Sequence, residues 1–415
     1  MNKQTYWLIN VILETGYIYE GERIVATKTD LHHLLIKDGK ITKILSENEP
    51  ITDDLPKVDA NKRLALPPFA ESHFHLDKSY IGGPWKAINP TKNLIERLDD
   101  EAKILPLQLP MVKSKAKLLI DRITKAGSTH IRTHVNIDPY VGLKHLESVR
   151  EALEEYSDQL TYEIVAFPQH GLLRTNVASM MRQAMKEGAT HVGGVDPGGV
   201  DGYVERSLET MVDIAVEAGA DIDLHLHDLD YLGIYTMKKL CNLIEEAGWK
   251  NCVAISHGFA LVGIPESEAA EMADRFVELG VSMKSTAAMQ RMLPFPLLKR
   301  KGVGVALGCD SMFDSWGSFG NADILERVSR LAEYYRWSDE RSLAETLAYI
   351  TQGLIPLNEK GEQMWPKSGD DANMVLVDAS CSAELIARRC PVAFTVHRGK
   401  MIDCQKSSIE SSILV

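Results

Sequence analysis

Between Leu64 and Gly308 the chain repeats one two-part unit: a short apolar run, then a longer segment with apolar residues at helical spacing. The runs are Leu64–Ala70, His130–Asn136, Tyr162–Phe167, Thr190–Val195, Ile222–Leu226, Val253–Ser256, Val281–Lys284 and Gly302–Gly308. Segments such as Val204–Ala218, Leu229–Ala247 and Ser267–Leu279 fill the gaps. Glycines stand where those helices should stop, at Gly127, Gly188, Gly219, Gly248 and Gly280. From the second run onward the repeat is about thirty residues, the length of a βα unit. Eight β runs with helices between them predict an α/β fold, a (β/α)8 TIM barrel. A doubly wound sheet shares this rhythm and is the runner-up, because periodicity alone does not close a sheet.

The two ends read differently. His32–Ile36, Asp38-Gly39-Lys40 and Ile41–Leu45 predict a hairpin, and Asn373–Val377, Pro391–Val396 and Arg398-Gly399-Lys400 predict another β-rich unit. We expect residues 1–63 and 357–415 to build one small β-sandwich beside a barrel of residues 64–356; two unrelated β extensions are the alternative. The long stretch Ser79–Pro110, rich in Gly and Pro and followed by the amphipathic Met111–Ala126, follows the first run. An insertion there would cover the barrel mouth, as a lid.

Lys plus Arg is 46 against 58 for Asp plus Glu, a net charge of −12 with no notable basic run, which argues against a nucleic-acid partner. The six cysteines form no C-x-x-C pair and read as thiols of a reducing compartment. The apolar run Trp7–Leu13 is too short for a signal core or a membrane span, so a cytoplasmic protein is expected.

In a barrel, side chains at the C-terminal ends of strands share one mouth, where chemistry is placed. Of the 13 histidines, His73, His75, His134, His170, His225, His227 and His257 all fall at such ends. Asp196 and Asp310 close the fourth and eighth runs. Strand side chains alternate, so the H-x-H pairs His73/His75 and His225/His227 each put two imidazoles on one side. With His257 and Asp310 they make a donor list of the kind Zn²⁺ or Fe²⁺ accepts.

Five segments then carry a resemblance: Phe69–Asp77 (FAESHFHLD), Ala166–Gly171 (AFPQHG), Asp223–Asp230 (DLHLHDLD), Ile255–Gly258 (ISHG) and Gly308–Asp314 (GCDSMFD). In order and spacing they resemble the cytosine deaminase branch of the amidohydrolase superfamily. The resemblance implies one divalent metal, Zn²⁺ or Fe²⁺, on His73, His75, His225 and Asp310, with His257 steadying the tetrahedral intermediate. Binuclear relatives use a carboxylated lysine at the fourth strand end, and Val192–Pro197 has none. Asp228 stands where cytosine deaminases carry a glutamate. His227, Lys78, Gln169 and Trp316 are more similar to the isopropylammelide amidohydrolases of s-triazine breakdown.

The reaction implied is hydrolytic removal of ammonia or an alkylamine from a pyrimidine- or triazine-like ring. Asp310 would take a proton from water, and His227 or Asp228 would protonate the leaving amine. Gln169, Lys78 and Trp316 would hold the ring, while His134 and Asp196 would orient ligands. Hydrolysis of a cyclic amide or amidine is the alternative chemistry, and a catalytically dead barrel kept for binding is the non-enzyme alternative. The expected partner is a small N-heterocycle, with no nucleic acid or membrane, in a homo-oligomer.

Overall fold

The computed structural model describes residues 5–404. Strands β1 (Thr5–Glu20), β2 (Arg23–Lys37), β3 (Lys40–Ser46), β4 (Lys57–Asp59) and β5 (Leu64–Leu66) come first. The barrel strands follow: β6 (Phe69–Phe74), β7 (Ser128–Asn136), β8 (Thr161–Phe167), β9 (His191–Val195), β10 (Asp221–Leu226), β11 (Val253–His257), β12 (Ser282–Ser285) and β13 (Val305–Leu307). After them come β14 (Met374–Val377), β15 (Val392–His397) and β16 (Lys400–Asp403).

Strands β6 to β13 pair in sequence order, all parallel. The seam is closed at its upper end, where Phe74 bridges Asp310, His75 N donates to Asp310 O at 2.7 Å and Asp310 N donates to His73 O at 2.8 Å. This is a TIM barrel, not an open doubly wound sheet. Gly308 permits the seam: a Cβ there would lie 2.5 Å from His73 Cβ and 2.6 Å from its backbone N and O. The helices between strands bury one face each. Val204–Ala218 buries Val204, Leu208, Met211, Val212 and Ala215, the helical spacing read from sequence, and stops at Gly219 with φ +63°.

The first apolar run is divided. Pro67 and Pro68 offer no backbone N–H to a ladder, so Leu64–Leu66 leaves the barrel and pairs with β1 and β14, and Phe69 opens the first barrel strand. The eighth run shortens to Val305–Leu307, because the helix Phe295–Lys301 ends on Gly302. Strands from both ends join one sheet in the order β16-β15-β14-β5-β1-β2-β3, with β4 on β1. That sheet folds over a core containing Leu8, Leu13, Leu34, Ile36, Trp365, Met374 and Val396. Both expected hairpin turns have two left-handed residues, Asp38/Gly39 and Arg398/Gly399, which suits the twist of two-residue loops. Over the barrel mouth lies the helix Leu94–Gln108, capped by Asn93. Among the described residues no helix is long and apolar enough to cross a membrane, and the six cysteines are free.

Candidate active site

Strand alternation sends Glu71 and His73 inward from β6, and His75 continues the alternation one residue past its end. At the top, His73 Nε2 and His75 Nε2 stand 3.3 and 3.4 Å from Asp310 Oδ1, and His75 Nε2 is 3.3 Å from His225 Nε2. Donor atoms of these four residues all lie within 4.8 Å of one another. Burial pushes the pKa of His75 down to about 4 and holds His225, His257 and His134 well below the ordinary histidine range. Neutral imidazoles offer lone pairs. His73 Nε2 is buried with no hydrogen-bond partner among the described residues. Three imidazoles and a carboxylate converging on one point, with one of the facing nitrogens orphaned, fit a single divalent ion such as Zn²⁺ or Fe²⁺. Backbone strain collects here too: His257 (φ +69°), Asp310 (φ +68°) and Asp196 (φ +34°) are non-glycine residues at positive φ at or just beyond strand ends.

A second cluster, His73, His134 and Asp223, lies beneath. Asp223 spends one oxygen on Ser256 Oγ at 2.6 Å and the other on Arg132 at 2.9 Å, and His73 Nδ1 is engaged by Ser256 at 2.8 Å. The Asp223 oxygens and His73 Nδ1 are thus already engaged, and within this cluster they hold His73 in place. His134 packs its ring 4.2 Å from that of His73 and 4.4 Å from that of His225, with both nitrogens unpartnered among the described residues.

Above the four ligands is a cavity of about 280 Å³ lined by Lys78, Phe167, Gln169, His227, His257 and Trp316, with Leu94 and Leu98 of the lid helix. A larger cavity, about 1000 Å³, lies against the starts of β6, β7 and β8, at the opposite end of the barrel from the chemistry. Phe167 stacks on His225 with centroids 4.1 Å apart. Lys78 Nζ donates to Gln169 Oε1 at 2.5 Å and lies 3.6 Å from Glu101 and 5.7 Å from the Trp316 ring centre. Burial disfavours the Lys78 charge, but Glu101 and Asp77 outweigh it and raise its pKa.

The structure separates the two candidate acids. His227 faces the cavity, its ring 4.3 Å from that of His257, and its Nδ1 meets Asp196 Oδ2 at 2.8 Å. Burial opposes its charged form, yet Asp196 shifts its pKa upward overall. Asp228 turns away: its Oδ2 accepts from the backbone N–H groups of Gly198 (3.2 Å) and Gly199 (3.1 Å), and it does not line the cavity. A carboxylate one methylene shorter than glutamate reaches this loop, not the ring site. Asp196 serves that arrangement, since its Oδ1 also accepts from His227 N and Asp228 N.

A family model described as the amidohydrolase family matches residues 151–403. This chain belongs to the amidohydrolase family. The uncharacterized protein YahJ of Escherichia coli K12 is 41% identical over 402 residues, 96% of this chain and 87% of that protein. The crystal structure of N-isopropylammelide isopropylaminohydrolase from Burkholderia multivorans superposes with a TM-score of 0.83 at 28% identity, covering 96% of this chain and 98% of that one. That of 5-methylcytosine deaminase from Klebsiella pneumoniae gives 0.78 at 25% identity, covering 97% and 99%. This amidohydrolase is accordingly a hydrolytic enzyme acting on C–N bonds.

Sequence reasoning had missed Glu101 of this amidohydrolase. It comes from the lid helix, is buried, and accepts from Trp316 Nε1 at 2.7 Å and Ser315 Oγ at 3.0 Å while facing Lys78. Only its place within an insertion over the mouth could have signalled it. Ser256, Asp223, Arg132 and Glu71 were missed too, although each of the last three sits two residues before a singled-out histidine on the same strand.

Proposed function

We propose that this amidohydrolase displaces ammonia or an alkylamine from a pyrimidine- or triazine-like ring, using one Zn²⁺ or Fe²⁺ ion held by His73, His75, His225 and Asp310. The observation that carries the reading is the convergence of those four donors on the floor of a cavity that has room for one small ring. A divalent ion bound there would supply a water acidified to a pKa of about 7. Asp310, which lines the cavity, would offer a carboxylate oxygen to the proton of that water. His257, on the cavity wall, would steady the charge that develops at the attacked carbon.

His227 delivers a proton to the departing nitrogen, with Asp196 fixing its ring so that Nε2 is the atom turned to substrate. Lysine only donates, so the Lys78 bond fixes Gln169 Oε1 and leaves the amide N–H groups for a ring carbonyl or ring nitrogen. Trp316, held by Glu101, packs on the ring face beneath the lid. The test incubates Zn²⁺-loaded enzyme with cytosine, 5-methylcytosine, ammelide and N-isopropylammelide and measures free ammonia and isopropylamine. Release from at least one ring is expected. No amine from any ring, together with opening of cyclic amides, overturns the proposal.

A further inference from the structure

Beneath the four candidate ligands a chain of hydrogen bonds links side chains of neighbouring barrel strands, and its chemistry has only one consistent direction. Arg132 Nη1 donates to Asp223 Oδ2 at 2.9 Å, and Arg132 Nε donates to Glu163 Oε2 at 2.6 Å. Asp223 is fully buried and bonded to a permanent cation, so it is a carboxylate and can only accept. Ser256 Oγ, 2.6 Å away, therefore spends its one proton on Asp223 Oδ1. A hydroxyl with its proton committed can only accept from its other neighbour, His73 Nδ1 at 2.8 Å. His73 must then carry a proton on Nδ1, so in the neutral ring Nε2 is the lone pair, on the side of Asp310.

We propose that Arg132, Asp223 and Ser256 are positioning residues that fix His73 as the Nδ1–H tautomer and so keep its Nε2 open to a metal ion. The inference rests on the four-ligand site argued above. It assigns a role to three residues that would touch neither metal nor substrate. Arg132 sets the direction: its guanidinium donates to Asp223 Oδ2, which keeps that carboxylate an acceptor for the Ser256 proton. The carboxylate also makes the His73 imidazole a better electron-pair donor through the intervening hydroxyl.

The measurement is the Zn²⁺ dissociation constant of purified full-length protein by chelator competition, with the ring N–H proton resonances of ¹⁵N-histidine-labelled protein. Ser256→Ala removes the relay and should weaken Zn²⁺ binding about 10- to 100-fold, the usual cost of losing such a support. It should also remove one hydrogen-bonded Nδ1–H resonance. Ser256→Thr keeps the hydroxyl and should retain the resonance and an affinity within about threefold of wild type. Asp223→Asn can turn its amide N–H₂ toward Ser256, reverse the chain of hydrogen bonds and place the His73 proton on Nε2, so its loss should exceed that of Ser256→Ala.

The proposal is overturned if Ser256→Ala binds Zn²⁺ within twofold of wild type with an unchanged resonance, or if Ser256→Thr loses as much as Ser256→Ala. Should Asp223→Asn fail to fold, the two Ser256 variants decide alone, their thermal melts serving as the check on folding. Wild-type protein that binds no Zn²⁺ would instead sink the four-ligand site itself.

Discussion

Two adjacent residues offer the sharpest test of the chemistry, because His227 and Asp228 are both candidates for the proton donor and the structure gives them different surroundings. The pair to make is His227→Gln and Asp228→Asn. In His227→Gln, Asp196 loses its 2.8 Å bond to Nδ1 but keeps the backbone N–H groups of residues 227 and 228, so the strand end stays in place. What disappears is a titratable nitrogen over the cavity. A positioned general acid contributes about 10²- to 10⁴-fold, or about 3–5 kcal/mol of barrier, and kcat should fall by that factor with metal content unchanged.

Asp228 makes two long bonds, 3.1 and 3.2 Å, to backbone amides at a half-buried position, each contributing about 1 kcal/mol at most. Asparagine keeps an acceptor oxygen for them. Asp228→Asn should therefore cost less than about fivefold in kcat. The assay is steady-state amine release on whichever ring the panel identifies, with zinc measured on the same samples. A hundredfold fall in Asp228→Asn beside a His227→Gln enzyme within tenfold of wild type would refute the reasoning and give the proton to Asp228.

Stripping the ion with a chelator should abolish turnover, and adding Zn²⁺ back should restore it. The melting temperature should climb with free Zn²⁺ as ligand linkage requires, about 4 kcal/mol at a thousandfold excess over the dissociation constant. Gly308→Ala pushes a methyl to within 2.5 Å of His73, so it should lower both the melting temperature and Zn²⁺ affinity, read by calorimetry and chelator competition.

Glu14 gives a pH signature far from the site. Burial raises its pKa from 4.5 to about 7, against the opposing bond from Ser382 N. The folded state thus holds a proton that the unfolded state has released between those values. Its contribution is complete below pH 4.5 and lost as pH rises through about 7, on the order of 3 kcal/mol. Glu14→Gln should flatten the fall of melting temperature between pH 5 and pH 8, and an unchanged slope would contradict this.

The eight-run rhythm and the hairpin turns Asp38-Gly39 and Arg398-Gly399 were legible because they rest on local chemistry: alternation, helical spacing and residues that tolerate positive φ. The histidines at strand ends were legible because a barrel gives all its strand ends one address. Two kinds of information were not. Pro67-Pro68 was read through as part of one run, although missing N–H groups at that point hand Leu64–Leu66 to another sheet. Glu101 and the turning away of Asp228 depend on where a lid and a Gly198-Gly199 loop come to lie, which no periodicity encodes. The supports Asp223 and Arg132 were within reach, since a charged residue two before an inward histidine on a barrel strand must also point inward.

The seam of the barrel is stitched by His73, His75 and Asp310 themselves, and Glu71 joins it by accepting from Cys309 N across 238 residues of sequence. These are among the most distant partners in the barrel, with a correspondingly large loop to close. Closing the barrel and assembling the candidate site are for that reason one event: until the first and last staves meet, His73 and His75 are not brought to Asp310. Hydrogen exchange at the amides of His75 and Asp310 would report, on one protein, both whether the barrel is closed and whether the site is assembled.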